Sequence, residues 1–436
     1  MKRIVIIGAG FGGLAAAKAL RHAKAEIWVI DRANHNLFQP LLYQVATTVL
    51  SPAQIASPIR ELLKNQRNAT VFLGEVTGIN KDANFVYVSN EDHKDAPIRY
   101  DILIVATGVT HSYFGHDEFA KFAPGLKGLA DALHIRNKVL QAFEQAEAEE
   151  DPRRHQDLLT FVLVGAGPTG VELSAALAML VRSMLKTEFR RIDPAIARVV
   201  LVDMAPRVLG TFAAELSEAA KHRLEKLGVE VRLGHSVDQI DADGVVVGGE
   251  RIASKAVIWT AGVAPSPAGE WLSAETDHAG RVRIQDDLTV PGYPDIYVIG
   301  DTAALQEDGK PLPGVAQVAI QEGQYAGRRI AQSLLGKPSS TPFRYFDRGN
   351  MAVVGAGFAV LQARRLRLSG IVAWLAWAGI HLQFLATSGL RLSVLLQWIW
   401  SFVTRQTGVR LIVNHIPLSR PNHNIMELPI AGAGRK

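Results

Sequence analysis

Two stretches of this chain repeat one device: an apolar strand, a turn with three spaced glycines, then a helix rich in small residues. The first reads KRIVIIGAGFGGLAAAKAL, with Gly8, Gly10 and Gly13 in G-x-G-x-x-G spacing and Gly12 beside them. The second reads TFVLVGAGPTGVE, with Gly165, Gly167 and Gly170. In such a turn the glycines let the backbone approach a pyrophosphate, which rests on the helix N-terminus. A second strand follows the first copy and ends at Asp31, 18 positions after Gly13, where an acid is spaced to take a ribose hydroxyl. The matching acid of the second copy is Asp203, 33 positions after Gly170, because MLVRSMLKTEFRRIDPAIA lengthens the connection. An acid there favours a free 2′-hydroxyl and repels a 2′-phosphate, so NADH is expected over NADPH, with Arg207 near enough to soften the preference. The glycine spacing alone is a weak signal. Strand, glycines, helix, second strand and acid together predict an α/β chain with two Rossmann-like dinucleotide-binding domains.

The remaining strands supply further contacts. Tyr100 to Gly108 reads as a buried strand ending in Ala106-Thr107-Gly108, and Val257 to Val263, with Gly262, is its counterpart in the second domain. Thr70 to Leu73 is another apolar strand, followed by Glu75-Val76. The run Ile296 to Ile299 is a buried strand bounded by Pro294 and by Gly300-Asp301, and a carboxylate at its tip is placed to hold a ligand hydroxyl. From Val315 to Leu334 the pattern predicts a helix on which Gln317 and Gln321, four apart, project from one face. A redox cofactor is expected at this corner. Glu172, two residues past Gly170, reads either as an acid facing the cleft between the cofactors or as a first-turn acid stabilising a helix dipole. Asn34 to Ile59 reads as loop and short helices, residues 134–154 as a polar, charged helix that ends near Asp151-Pro152 and serves as a solvated connector, and Val354 to Gly357 as a strand with a close backbone contact rather than a third fingerprint.

Composition enters through what it excludes. The chain has 436 residues and no cysteine, so dithiol relays, disulfides and iron–sulfur clusters are impossible; no metal site is expected. It opens directly into a strand pattern, so no signal peptide is expected. From residue 361 onward nine Arg and Lys face one acid, a balance of +8; with +5 for the whole chain, the first 360 residues carry −3. Four of the seven Trp lie in that basic tail, which points to an anionic membrane surface rather than nucleic acid. Ser369 to Leu390 is 22 residues without a formal charge if His381 is neutral, long enough to span a bilayer but interrupted by Gly, Gln, Thr and Ser. Arg391 to Arg405 carries a polar stripe at Ser393, Gln397, Ser401 and Arg405, with Trp398 and Trp400 expected on the wide lipid-facing side. A monotopic anchor is the preferred reading, with His381 either lining a path to the cofactor or packed in the core.

The segments GAGFGG, NLFQPLLYQVAT, VGAGPTGVE, FRRIDP, WTAGV, IGD and AQVAIQEG, followed by an aromatic basic tail, resemble type II, non-proton-pumping NADH:quinone oxidoreductases. The resemblance implies non-covalent FAD on the first fingerprint, NADH on the second and a membrane quinone as acceptor, bordered by Gln317 and Gln321. It implies an FAD-binding domain at 1–111 and 293–341, an NADH-binding domain at 112–292 and a membrane-anchoring region at 342–436. The expected cofactor contacts are Gly8, Gly10, Gly12, Gly13, Asp31, Arg32, Val76, Ala106, Thr107, Gly108, Gly300, Asp301 and Gln317 for one nucleotide, and Gly165, Gly167, Gly170, Asp203 and Gly262 for the other. Glu172, Gln317 and Gln321 are the candidates nearest the reacting centres. The expected location is the cytoplasmic face of a bacterial membrane, and a homodimer is admitted. Two alternatives are a soluble flavoprotein reductase of a protein acceptor and a non-enzymatic NADH sensor.

Overall fold

The computed structural model describes residues 1–184, 188–337, 340–404 and 408–413. Arg405 and everything from residue 414 lie outside the described residues, and with them much of the basic tail.

Two sheets organise the body. The first has the strand order Thr289–Val290, Tyr293–Val298, Ile102–Val105, Lys2–Ile7, Ala25–Asp31, Ala69–Leu73, parallel except for its Thr289–Val290 edge. Its central strands are continuous apolar runs because both faces are covered, and Ile4, Val5 and Ile6 have no exposed surface. The second sheet has the order Val229–Leu233, Arg198–Asp203, Thr160–Val164, Ala256–Trp259, all parallel. An antiparallel ribbon, Val109–His111 against Val263–Pro265, ties the two units together just past their central strands.

The helices used below are α1 (Phe11–Ala19), α2 (Leu42–Ala46), α3 (Leu129–Ala148), α4 (Pro168–Met179), α5 (Ala316–Leu334), α6 (Ile371–Phe384) and α7 (Ser388–Thr404). Helices α1 and α5 cross at glycines: a Cβ on Gly323 would collide with the Gly12 carbonyl, and one on Gly327 would lie 2.8 Å from the Ala16 carbonyl. Close backbone approach is what small residues at a crossing allow, and it fixes α5 against the first glycine turn.

Three expectations are corrected. Residues 134–154 are not a solvated connector. Most of that segment is α3, whose Ile135, Val139, Leu140, Phe143 and Ala146 are buried at helical spacing, and Glu147 accepts the backbone amides of Arg190, Arg191 and Ile192. Val354 to Gly357 is a hairpin turn between Asn350–Val353 and Ala359–Ala363, not a strand; Gly355 and Gly357 have φ of +75° and +74°. The uncharged run Ser369 to Leu390 is broken into the end of a strand (Leu366–Gly370), α6 and the start of α7, because the chain turns at 385–387. Among the described residues no helix is long and apolar enough to cross a membrane.

The C-terminal region is thus a three-stranded antiparallel sheet followed by two helices. Val353, Val360, Trp377, Leu385 and Val394 share one apolar cluster with Phe161, Leu163 and Val171 of the second unit. Beyond α7 the chain returns to α3, where the Asn137 amide pairs with both backbone groups of Val413.

Candidate functional site

The two glycine turns have the same geometry. Gly8 and Gly165 lie at φ +93° and +108°, a region open to glycine. A Cβ on Gly13 would strike the Gly8 carbonyl, and one on Gly170 the Gly165 carbonyl, so the third glycine seats each helix against its turn. Gly10 and Gly167, by contrast, have nothing within 4 Å of where a Cβ would be. That free space, at the N-termini of α1 and α4, fits a pyrophosphate. Asp31 accepts the Ala9 and Ala33 amides at 2.6 and 2.8 Å; Asp203 accepts the Ala166 and Ala205 amides at 2.5 and 2.7 Å. Each carboxylate oxygen keeps a second lone pair for a ribose hydroxyl. Arg32 is exposed next to Asp31. Val76 is buried, its side chain in the apolar cluster under the first sheet.

Gly300 and Asp301 start a single helical turn at the tip of the Tyr293–Val298 strand. The Asp301 carboxylate has no hydrogen-bond partner among the described residues, and burial raises its pKa against the pull of Lys127 and Arg281. A half-buried carboxylate without a hydrogen-bond partner is what a ligand hydroxyl would satisfy. Around it Thr107 Oγ1 bonds Ser266 Oγ at 2.5 Å, and Thr302 Oγ1 donates to the Gly108 carbonyl at 2.8 Å. Ala106 abuts Gly8 through its carbonyl. Gly262 sits where a Cβ would lie 2.6 Å from the Phe114 ring; Phe114 itself is 66% exposed at φ +53°.

Glu172 on α4 and Gln317 and Gln321 on α5 converge on one segment. Gln317 Nε2 donates to the Gly349 carbonyl at 3.1 Å, and Val353 N donates to Glu172 at 3.2 Å. Gln321 is bonded both ways to the Phe346 backbone, at 3.0 Å each. Both polar ends of Gln321 are therefore engaged, and it fixes the strand's approach. Gln317 differs: its Oε1 is buried and has no partner. Glu172 is not a simple helix-dipole acid. Burial pushes its carboxyl up to about 8 despite the Val353 amide. Its charge also adds to the burial that raises the Tyr43 phenol.

From Tyr43 a hydrogen-bonded line leads outward. Gln44 Nε2 donates to Tyr43 Oη at 2.9 Å, and Trp398 Nε1 donates to Gln44 Oε1 at 2.7 Å. Trp398 therefore faces the body, with its ring 5.1 Å from that of Trp377, and does not face lipid as expected. Trp400 does point outward, 58% exposed, beside Leu396, Ile399, Phe402 and Val403. Of the polar stripe, Ser393 bonds Gln54 at 3.0 Å and Gln397 bonds Ser401 at 3.3 Å, along the flank of α7. His381 is held by the Trp377 carbonyl at 2.8 Å, and burial lowers its pKa to about 4. That is a packing histidine, neutral at physiological pH.

Sequence reasoning missed Lys127, Glu322, Tyr43 and Phe114. Glu322 is 1% exposed and accepts the Gly300 amide at 2.5 Å; burial pushes it up to about 8. Its place one residue after Gln321 in a helix of otherwise neutral inward residues was the available signal.

The family model for pyridine nucleotide-disulphide oxidoreductases matches residues 2–323. The type II NADH:quinone oxidoreductase Ndh of Mycobacterium tuberculosis is 45% identical over 430 residues, covering 96% of this chain and 92% of the relative. The type II NADH:quinone oxidoreductase of Staphylococcus aureus is 29% identical over 365 residues, covering 81% and 88%. In fold, the NDH2 of Plasmodium falciparum solved with NADH covers 95% of this chain and 100% of its own, with TM-score 0.85 and 20% identity. The sulfide:quinone oxidoreductase of Aquifex aeolicus reaches 0.68 at 18% identity, covering 95% and 96%. The chain belongs to the pyridine nucleotide-disulphide oxidoreductase family and, within it, to the type II NADH:quinone oxidoreductases.

Proposed function

We infer that this protein passes two electrons from NADH, through non-covalent FAD, to a membrane quinone without pumping protons. The observation that carries the acceptor assignment is the convergence of Glu172 and Gln317 on residues 349–353. One comes from the second nucleotide unit, the other from the first, and both are bonded to the strand that leads to α6 and α7. With no cysteine in the chain, no dithiol stands between the cofactor and the acceptor.

Bound FAD supplies the two-electron carrier between the nicotinamide and the quinone. Gly8, Gly10, Gly12 and Gly13 seat its pyrophosphate, Asp31 and Arg32 its ribose end, and Asp301 its hydroxylated chain, with Val76 and Ala106 to Gly108 along its length. Gly165, Gly167 and Gly170 seat NADH, Asp203 selects the free 2′-hydroxyl, and Gly262 keeps the approach to the nicotinamide open. Gln317 offers its unpaired Oε1 to the acceptor end, Gln321 positions the strand behind it, and Glu172 holds a proton at neutral pH beside that strand.

The outward apolar faces of α6 and α7 lie in one leaflet, on the cytoplasmic side where NADH is available. Even at about 1 kcal/mol each, below the roughly 1.5–3 kcal/mol of full burial, these side chains outweigh a charge term of about 1 kcal/mol per surface cation. Salt screens only the charge term. The test is purification in detergent, a flavin spectrum, and NADH oxidation with and without a short-chain quinone. Turnover is expected only with quinone; rapid turnover with a protein acceptor alone would favour the soluble-reductase alternative.

A further inference from the structure

A cavity of about 570 Å³ lies between the body and the anchor. One wall is α1 and α5; the other is the α6–α7 connection at Phe384, Leu385 and Leu390. Its floor is apolar, with Phe11 and Phe38 at ring-centroid distance 6.0 Å. Its rim is not: Lys18, Arg21 and His22 at the end of α1 and Arg328 on α5 line it, and no Asp or Glu does. Lys18, Arg21 and Arg328 form no ion pair among the described residues, and Arg21 Nε donates to His22 Nε2 at 2.9 Å. Lys18 is partly desolvated, which lowers its pKa.

We propose that this cavity is a seat for one anionic phospholipid, with its phosphate held by Lys18, Arg21 and Arg328 and an acyl chain on the apolar floor. The proposal rests on the membrane reading above and adds a specific lipid contact to it. Three observations select this occupant. Three unpaired cations meet at one rim, and a phosphate bearing two apolar chains is complementary to both rim and floor. The apolar wall at Phe384 is continuous with the exposed apolar faces of α6 and α7. The rim cations lie on the body, so the basic tail is not needed to supply them. The site differs from the acceptor site: its inner end, at Phe11 and Ile320, lies about one turn of α5 from Gln317, and its charge lies at the opposite end.

The experiment uses detergent-purified holoenzyme, native mass spectrometry for retained phospholipid, and flotation on phosphatidylcholine vesicles with and without phosphatidylglycerol. Wild type should retain one phosphatidylglycerol and float better on the anionic vesicles. The variant K18Q/R21Q/R328Q should lose that adduct and weaken on anionic vesicles by about tenfold or more at low salt, the loss expected for three surface cations after screening. Its flotation on neutral vesicles and its turnover with a short-chain quinone should not change. Equal retention of phosphatidylglycerol by wild type and variant overturns the proposal. So does a variant whose only defect is a raised KM for a long-tailed quinone, which would make the cavity part of the quinone path. Wild type that floats on neither vesicle overturns the membrane reading itself; wild type that floats equally on both overturns only the lipid seat.

Discussion

The two glycine turns are near copies, and their surroundings are not. Around the first, α1 is clamped by α5 at Gly12, Gly323 and Gly327, and the Gly300 turn is locked from behind by Glu322. Around the second, α4 leans on the C-terminal sheet through Glu172 and Val353 and through Met179 and the Ala356 amide. Its other side is the exposed Phe114 against Gly262. The first cradle is walled by a helix of its own unit and cannot open without parting two helices that meet backbone to backbone. The second is walled by exposed and C-terminal elements. The same loop thus suits a cofactor that stays in one unit and a nucleotide that exchanges in the other.

The largest effect should come from Gly10→Val, whose side chain fills the free space at the first turn. The variant should keep its far-ultraviolet dichroism and purify colourless; a folded, fully yellow protein would refute the assignment. The mirror change, Gly167→Val, should leave the flavin in place and weaken NADH binding by about a hundredfold, as a lost anion contact at a helix end plus a clash would do. Rapid-mixing reduction at varied NADH reads this, and loss of flavin from that variant would erase the distinction between the cradles.

A smaller effect concerns the clamp. Gly323→Ala should cost about 1–3 kcal/mol of stability by overpacking and speed flavin release, measured as free-FAD fluorescence on dilution. An unchanged release rate would show that α5 does not retain the cofactor.

Proton linkage sharpens the comparison further. Glu172 and Glu322 each bind a proton near pH 8 when folded, against 4.5 for an ordinary glutamate. The folded state therefore holds more protons between those values, so stability is greatest below that interval and falls as pH rises through about 8. Glu322→Gln, which keeps an acceptor for the Gly300 amide, should flatten the fall of the melting temperature between pH 6 and 9. An equal slope in wild type and variant would place the linkage elsewhere. The smallest effect is Trp398→Phe, which removes the donor to Gln44 and should cost about 1 kcal/mol with flotation on vesicles unchanged. A loss of flotation would return Trp398 to the lipid face.

The paired α/β architecture was legible because it depends on local patterns: apolar runs ended by spaced glycines and acids. Asp203 was legible despite its late position because the strand end, rather than the count, marks it. The helix within 134–154 was legible, but it looked solvated because its charges were weighed and its buried Ile135, Val139 and Phe143 positions were not. The engagement of Gln321 was not legible, since its partner at residue 346 lies 25 positions away and is a backbone group. Trp398 looked outward because a Trp-rich stripe was judged without Gln44, which is 354 positions distant and folds onto it. Lys127 belongs to no spacing rule, and Glu322 was marked only by being the one acid on an otherwise neutral inward face of its helix.

The most direct test of the central claim, that Glu172 and Gln317 border the acceptor while the nucleotide cradles act upstream, is stopped-flow separation of the two half-reactions in Gln317→Ala and Glu172→Gln. Reduction of the flavin by NADH should remain within about twofold of wild type. Reoxidation by quinone should slow by about tenfold or more in each, the range expected for losing a positioned polar group or proton donor. Wild-type reoxidation should decline as pH rises through about 8, where Glu172 loses its proton, and in Glu172→Gln that decline should be absent. A defect confined to the NADH half-reaction, with normal reoxidation, would contradict the account.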